Sequence, residues 1–110
     1  MYIQIKSRFT LTKKEAYRSQ IRKKSFVPRK DLYLAFVYCD SNTHRLGEIL
    51  WLIPTIEFSD LMKGQSPGRK VYVFQSKFTS PNDMWVKYRL PLAKLPDELM
   101  ALLDETHEKT

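Results

Sequence analysis

The sequence predicts a single mixed α/β domain with its elements in the order β-α-β-β-α-β-α. Three observations lead there. The chain has 110 residues, and domains run from about 50 to 250 residues, so the length suits one unit. Hydrophobic residues make up 43% of it, enough for a packed core and too many for a disordered tail. Short β-rich runs also alternate with stretches of helical spacing or capping chemistry, and no repeat or linker divides them.

The first element is a strand over Tyr2–Ser7. Ile3 and Ile5 alternate with Gln4 and Lys6, which predicts one buried and one polar face. Thr12-Lys13-Lys14-Glu15 then fits a capping box, with the Thr12 hydroxyl accepting from the amide three residues on and Glu15 reaching back. A surface helix is expected from there to about Lys24, with Ala16, Tyr17 and Ile21 as a thin apolar stripe; a basic loop is the alternative. Pro28 closes that region. Leu32–Cys39 is rich in β-formers and reads as a central strand.

Asp40-Ser41-Asn42-Thr43 and Gly47 carry turn chemistry, and Glu48–Ile53 is the next strand, paired with the previous one across a long loop. Pro54 stops it, and Thr55 is placed to cap a short helix to about Met62, with Ile56, Phe58 and Leu61 as packing positions. Gly64 suits the helix end, and Gln65–Gly68 is a loop. Lys70–Phe78 is a third strand, with Val71 and Val73 opposite Tyr72 and Phe74. Ser80-Pro81-Asn82-Asp83 is a turn, and Trp85 and Tyr88, three apart, predict one helical turn within Asp83–Arg89. A final helix runs from about Pro96 to Glu105. Pro96 fits its first turn, Asp97 and Glu98 complement its dipole, and Leu99, Leu102 and Leu103 form its apolar stripe.

Charge is unevenly placed. The chain carries a formal +7, yet residues 1–30 alone hold ten basic side chains and one acid, a local charge of +9. The remaining 80 residues carry nine basic and eleven acidic side chains, a net −2. Such a block points to a polyanion, attracted through phosphate charge and counterion release. The bland alternative is a solvated face that favours solubility. A membrane surface fits poorly, because the basic segment lacks the continuous apolar face of an interfacial helix.

Other classes are disfavoured. The longest apolar run, Leu32–Cys39, has eight residues against the roughly 20 of a membrane-spanning helix, and the first eight residues alternate instead of opening a signal peptide. Cys39 is the only cysteine, so no intrachain disulfide forms, and a reducing cytoplasm is the expected setting. His44 and His107 have no second ligand nearby in sequence, which argues against zinc. Gly64-x-x-x-Gly68 lacks the Lys-Ser/Thr of a phosphate loop. Trp51 and Trp85 lie in apolar surroundings that favour packing over base stacking.

Gln4 and Lys6, two apart on a strand, share a face. In metal-dependent nucleases a side-chain oxygen so placed ligates a divalent cation while an ammonium positions the attacking water and offsets developing charge. The strand Ile3-Gln4-Ile5-Lys6-Ser7, followed by basic residues, resembles the second half of the PD-(D/E)xK restriction-endonuclease-like motif, in branches where Gln replaces the acid. The downstream pattern is similar as well: Val27-Pro28, Leu32–Cys39 ending in Asp40, Leu50-Trp51-Leu52-Ile53-Pro54 with Glu57-Phe58, and Trp85-Val86-Lys87-Tyr88-Arg89 before a Leu-rich helix.

That resemblance implies a three-layer sheet-and-helix core, N-terminally truncated, with Gln4 and Lys6 in catalytic-type positions. It also implies DNA as the partner, contacted by Arg8, Lys13, Lys14, Arg18, Arg22, Lys23 and Lys24. The departure is large. The superfamily places a metal-binding Asp on a strand before the Gln-x-Lys strand, and here only Met1, Tyr2 and Ile3 precede Gln4. The expectation is therefore a catalytically incomplete relative, which would hold Mg²⁺ only if a missing carboxylate were supplied. A second set, Asp60 with Gln75-Ser76-Lys77, has the right residue types, but its acid falls in a predicted helix. The other class of function is an interaction domain, whose exposed β edge near Tyr2–Lys6 pairs with a second copy or a partner chain.

Overall fold

In the computed structural model the described residues are 1–40, 42–43, 45–65 and 67–108. Ser41 of the predicted turn, His44, and Ser66 of the predicted loop lie outside them, as does the side chain of His107. Among the described residues the architecture is mixed α+β: six strands in two sheets, with two helices. The strands are β1 (Tyr2–Arg8), β2 (Ala16–Arg22), β3 (Leu32–Asp40), β4 (Arg45–Pro54), β5 (Val71–Lys77) and β6 (Arg89–Pro91). The helices are α1 (Thr55–Met62) and α2 (Leu95–Glu108), and single 3₁₀ turns occupy Lys23–Ser25, Val86–Tyr88 and Leu92–Lys94.

The main correction falls on β2, expected as a helix. Thr12 and Glu15 do meet, but in a tight turn. The Ala16 amide donates to Thr12 Oγ1 (3.1 Å), the Thr12 amide donates to the Ala16 carbonyl (2.9 Å), and Glu15 takes a left-handed φ of 61°. The chain reverses there and leaves as a strand. Tyr17, Ser19 and Ile21 turn inward and Arg18, Gln20 and Arg22 outward, a period of two that outcompetes the sparse helical stripe. The predicted element order is accordingly replaced by β-β-β-β-α-β-β-α, with the short β6 added.

The main sheet runs β1-β3-β4-β6, and β2 and β5 form a separate antiparallel ribbon. β3 sits inside the main sheet as expected, parallel to β1 and antiparallel to β4. The turn before β4 is shorter than predicted, because β4 starts at Arg45 instead of Glu48. Gly47 thus lies within the strand. There a Cβ would come 3.3 Å from the Tyr38 carbonyl oxygen, beside the register shift between Val37 and Cys39.

The two faces of β3 and β4 build two cores. Leu34, Phe36, Trp51 and Ile53 face the ribbon and α1, meeting Tyr17, Ile21, Phe58, Met62, Phe74 and Trp85. Phe36 and Phe74 stack with centroids 4.0 Å apart and parallel planes, joining sheet to ribbon. On the opposite face Ala35, Val37, Leu50 and Leu52 are covered by Leu95, Leu99 and Leu102 of α2, with Leu90 and Leu92 alongside. The layers are α2, the main sheet, then the ribbon with α1.

Two local expectations change. Thr55 does not cap α1: its hydroxyl accepts from the Arg29 amide and donates to the Arg29 carbonyl (2.9 Å each), pinning the loop before β3. Ile56 is exposed, and Met62 packs inward instead. Gly64, with φ 77°, makes the turn out of α1, in which the Gln65 amide donates to the Met62 carbonyl (3.0 Å). Asp83 holds the 3₁₀ turn by accepting from the Trp85 amide (2.8 Å) and the Ser76 hydroxyl (2.6 Å).

Candidate functional site

β1 supplies the first side chains of the site. Its register sets Gln4 beside Leu34, Lys6 beside Phe36 and Arg8 beside Tyr38, so these three stand on the sheet face that carries the ribbon. Ile3 and Ile5 stand on the other face, with Tyr33 and Ala35. The expected burial of the two isoleucines is not realised: Ile3 is 36% and Ile5 67% exposed, while among the described residues the leucines of α2 pack on β3 and β4. The sharing of one face by Gln4 and Lys6 holds.

β2 supplies the opposing wall. Tyr17 spans the gap, its hydroxyl donating to the Lys6 carbonyl (2.7 Å). Burial pushes the Tyr17 phenol up to about 12, with hydrogen bonds opposing the rise. Between the walls lies a depression of about 290 Å³, bordered by Gln4, Lys6, Arg8, Gln20, Arg22 and Ser25. Arg8 also borders a neighbouring depression of about 210 Å³ with Arg18, Thr10 and Thr12. Arg22 borders a third, of about 690 Å³, with Lys23, Lys24 and Lys70. The shared arginines join the three into one tract, and among the described residues no Asp or Glu borders any of them.

Most of the basic residues singled out in the sequence therefore converge. Arg8, Arg18, Arg22, Lys23, Lys24 and Lys6 all border the tract. Lys23 is half-buried, its ammonium 5.0 Å from the centre of the Tyr72 ring, and its amide donates to the Lys70 carbonyl (2.9 Å). Lys13 and Lys14 stand exposed on the turn between β1 and β2, where Lys14 shares a separate depression with Glu15 and Lys77. Arg29 is drawn away by a two-pronged contact with Asp31 (3.1 and 2.9 Å) and lies over the Tyr2 ring. Gln20 and Lys70 were missed in the sequence. The alternation Tyr17, Ser19, Ile21 against Arg18, Gln20, Arg22 carried the signal for the first.

As a cation site the Gln4–Lys6 pair is poorly furnished. Its depression offers, among the described residues, amides, a hydroxyl and cations but no carboxylate, and Mg²⁺ favours charged oxygen ligands. Among the described residues no group of three or more His, Cys, Asp or Glu side chains is placed to hold a metal ion. The donor set does not fit Mg²⁺, and no hydrolytic step follows from it. The second Gln-x-Lys is divided between elements. Gln75 and Lys77 are exposed on β5, whereas Asp60 pairs with Lys63 (3.4 Å) on the surface of α1.

A second cavity, of about 420 Å³, lies on the α2 side. It brings Glu57 and Glu98 near Lys87 and Arg89, and burial with the nearby Glu57 raises the Tyr88 phenol. Arg89 is engaged structurally, donating to the carbonyls of Lys77 (2.9 Å) and Ser80 (2.8 Å). Its charges balance, so it has no comparable pull on an anion.

No family model, curated protein or solved structure matches this chain.

Proposed function

We propose that this protein associates with nucleic acid through the tract between β1 and β2. The supporting observation is the unbroken basic surface from Arg18 through Arg8, Lys6 and Arg22 to Lys24 and Lys70, bordered by no carboxylate among the described residues. A strip of guanidinium and ammonium groups beside a sheet recognises repeated phosphate charge. Descent from restriction-endonuclease-like enzymes is a further proposal resting on the Gln4-x-Lys6 strand and its downstream pattern, and DNA is the partner that descent suggests.

Fluorescence anisotropy with labelled DNA and RNA tests the association. Affinity falls steeply as salt rises, with a log–log slope of about −0.9 per neutralised phosphate in B-DNA. Replacing Arg8, Lys24 and Lys70 together by Ala flattens that slope by about three, whereas Lys94→Ala, outside the tract, leaves it alone. A flat response in the parent protein defeats the proposal. Plasmid incubated with the protein and Mg²⁺ or Mn²⁺ stays intact; cleavage that Lys6→Ala abolishes would assign an activity after all.

A second reading is favoured by Ile3 and Ile5, exposed side by side on a strand at the end of its sheet. Such an edge adds a strand from another chain. The occupant proposed is a second copy. Antiparallel self-pairing centred on Ile5 sets Gln4 of one copy against Lys6 of the other, and Tyr2 against Arg8, so no like charges stand directly opposed.

A further inference from the structure

We infer that the outer face of the β2–β5 ribbon reads base edges in the major groove of B-form DNA, with Arg18, Gln20, Arg22 and Gln75 as the reading side chains. This rests on the nucleic-acid reading above and specifies its partner, its element and its residues.

Register is the first ground. Arg18 pairs with Gln75, Gln20 with Val73 and Arg22 with Val71, so all six share one face of the ribbon. The other face cannot turn outward, because Tyr17, Ser19, Ile21, Phe74 and Ser76 are sealed against the sheet. The outward row is therefore fixed in position by the core.

Side-chain chemistry is the second ground. A surface built only to neutralise phosphate needs cations, and here two carboxamides stand among the guanidiniums. Arginine pairs in two-pronged fashion with the O6 and N7 of guanine, and glutamine with the N6 and N7 of adenine. Val73 between them offers the apolar contact that a thymine methyl takes. Arg18, Gln20, Arg22 and Gln75 are all exposed and available to a partner.

Dimensions are the third ground. The major groove, about 12 Å wide, admits a two-stranded ribbon whose strands lie about 4.8 Å apart. Alternate residues on a strand stand about 6.8 Å apart, or two base-pair steps, so Arg18 to Arg22 spans about four base pairs. The flanks suit phosphate: Lys6 and Arg8 lie across the depression beside β2, and Lys24 and Lys70 stand at the Arg22 end. Duplex RNA is not an equivalent partner, since its major groove is too deep and narrow for side chains to read.

The test is selection of duplexes from a randomised library by the full chain, followed by anisotropy on the selected and scrambled sequences. The expected result is an enriched core of about four base pairs containing G or A, bound tightly relative to scrambled duplex and to duplex RNA of the same sequence. Gln75→Ala and Arg18→Lys each cut the preference for the selected over the scrambled site by about tenfold, and Gln75→Ala, outside the tract, changes binding to scrambled duplex less than twofold. Replacing guanine by 7-deazaguanine in the selected site weakens the unaltered protein similarly, a readout that does not depend on any variant folding. Steep salt-dependent binding with no enriched core, or with both variants weakening all sequences alike, would overturn this inference and leave the nucleic-acid reading standing. Equal affinity for the RNA duplex overturns it too. Absence of binding to every nucleic acid overturns the nucleic-acid reading itself.

Discussion

At the residue scale, Tyr17 ties the site to the core. Its ring is fully buried among Phe36, Trp51 and Phe74, and its hydroxyl ends at the Lys6 carbonyl, so one side chain sets the spacing of β1 from β2. Burial raises its phenol from 10.0 to about 12. The consequence for stability has a definite sign. Below pH 10 the phenol is neutral in folded and unfolded chains alike and the full contribution is present. Between pH 10 and 12 the unfolded chain ionises first, and stability falls as pH rises. Tyr17→Phe removes the donor to Lys6 at a cost of about 1 kcal/mol near neutrality and flattens the alkaline loss. Urea denaturation of both proteins at pH 8 and pH 11 checks this; parallel losses would show that other groups cause it.

At the element scale, the ribbon depends on a few aromatic contacts. Phe74 lies on β5, stacks on Phe36 and touches Tyr17, Trp51 and Trp85, so it joins ribbon, sheet and the 3₁₀ turn. Phe74→Ala should cost about 3–5 kcal/mol, by analogy with other buried Phe truncations, and equilibrium unfolding measures it. Elements with strong local signals were legible in the sequence. Leu32–Cys39 became β3, the short helix expected after Pro54 ends at Met62 but begins at Thr55 instead of being capped by it, and Trp85 and Tyr88 bracket a 3₁₀ turn. β2 was not, because its period-two signal includes Ser19, a polar residue at a buried position. Only the packing of the ribbon against the main sheet makes Ser19 an interior residue, and no local pattern encodes that. The site was half legible for the same reason. Its cations were visible as a cluster in sequence, but which of them share a face depends on β2 being a strand. The exposure of Ile3 and Ile5 was likewise hidden, since the reach of α2 is a tertiary fact.

At the scale of the whole molecule, the charge division of the sequence becomes a spatial one. The +9 segment forms β1, β2 and their connections, while the acids Glu57 and Glu98 lie at the cavity on the α2 side. This arrangement gives the two proposed associations opposite salt dependences. Binding to a polyanion releases counterions and weakens as salt rises. Pairing of two copies through β1 brings two basic segments together around the apolar pair Ile3 and Ile5, so screening strengthens it. Raising ionic strength from about 0.1 to 1 M, which shortens the screening length from about 10 to 3 Å, should lower DNA affinity and raise the dimer fraction in sedimentation velocity. Ile5→Lys sharpens the contrast. It sets lysine against lysine at the centre of the paired strands, which abolishes the dimer. DNA binding persists, because Ile5 stands on the face away from the tract. A dimer that dissolves in high salt, or that survives Ile5→Lys, is not built on this edge.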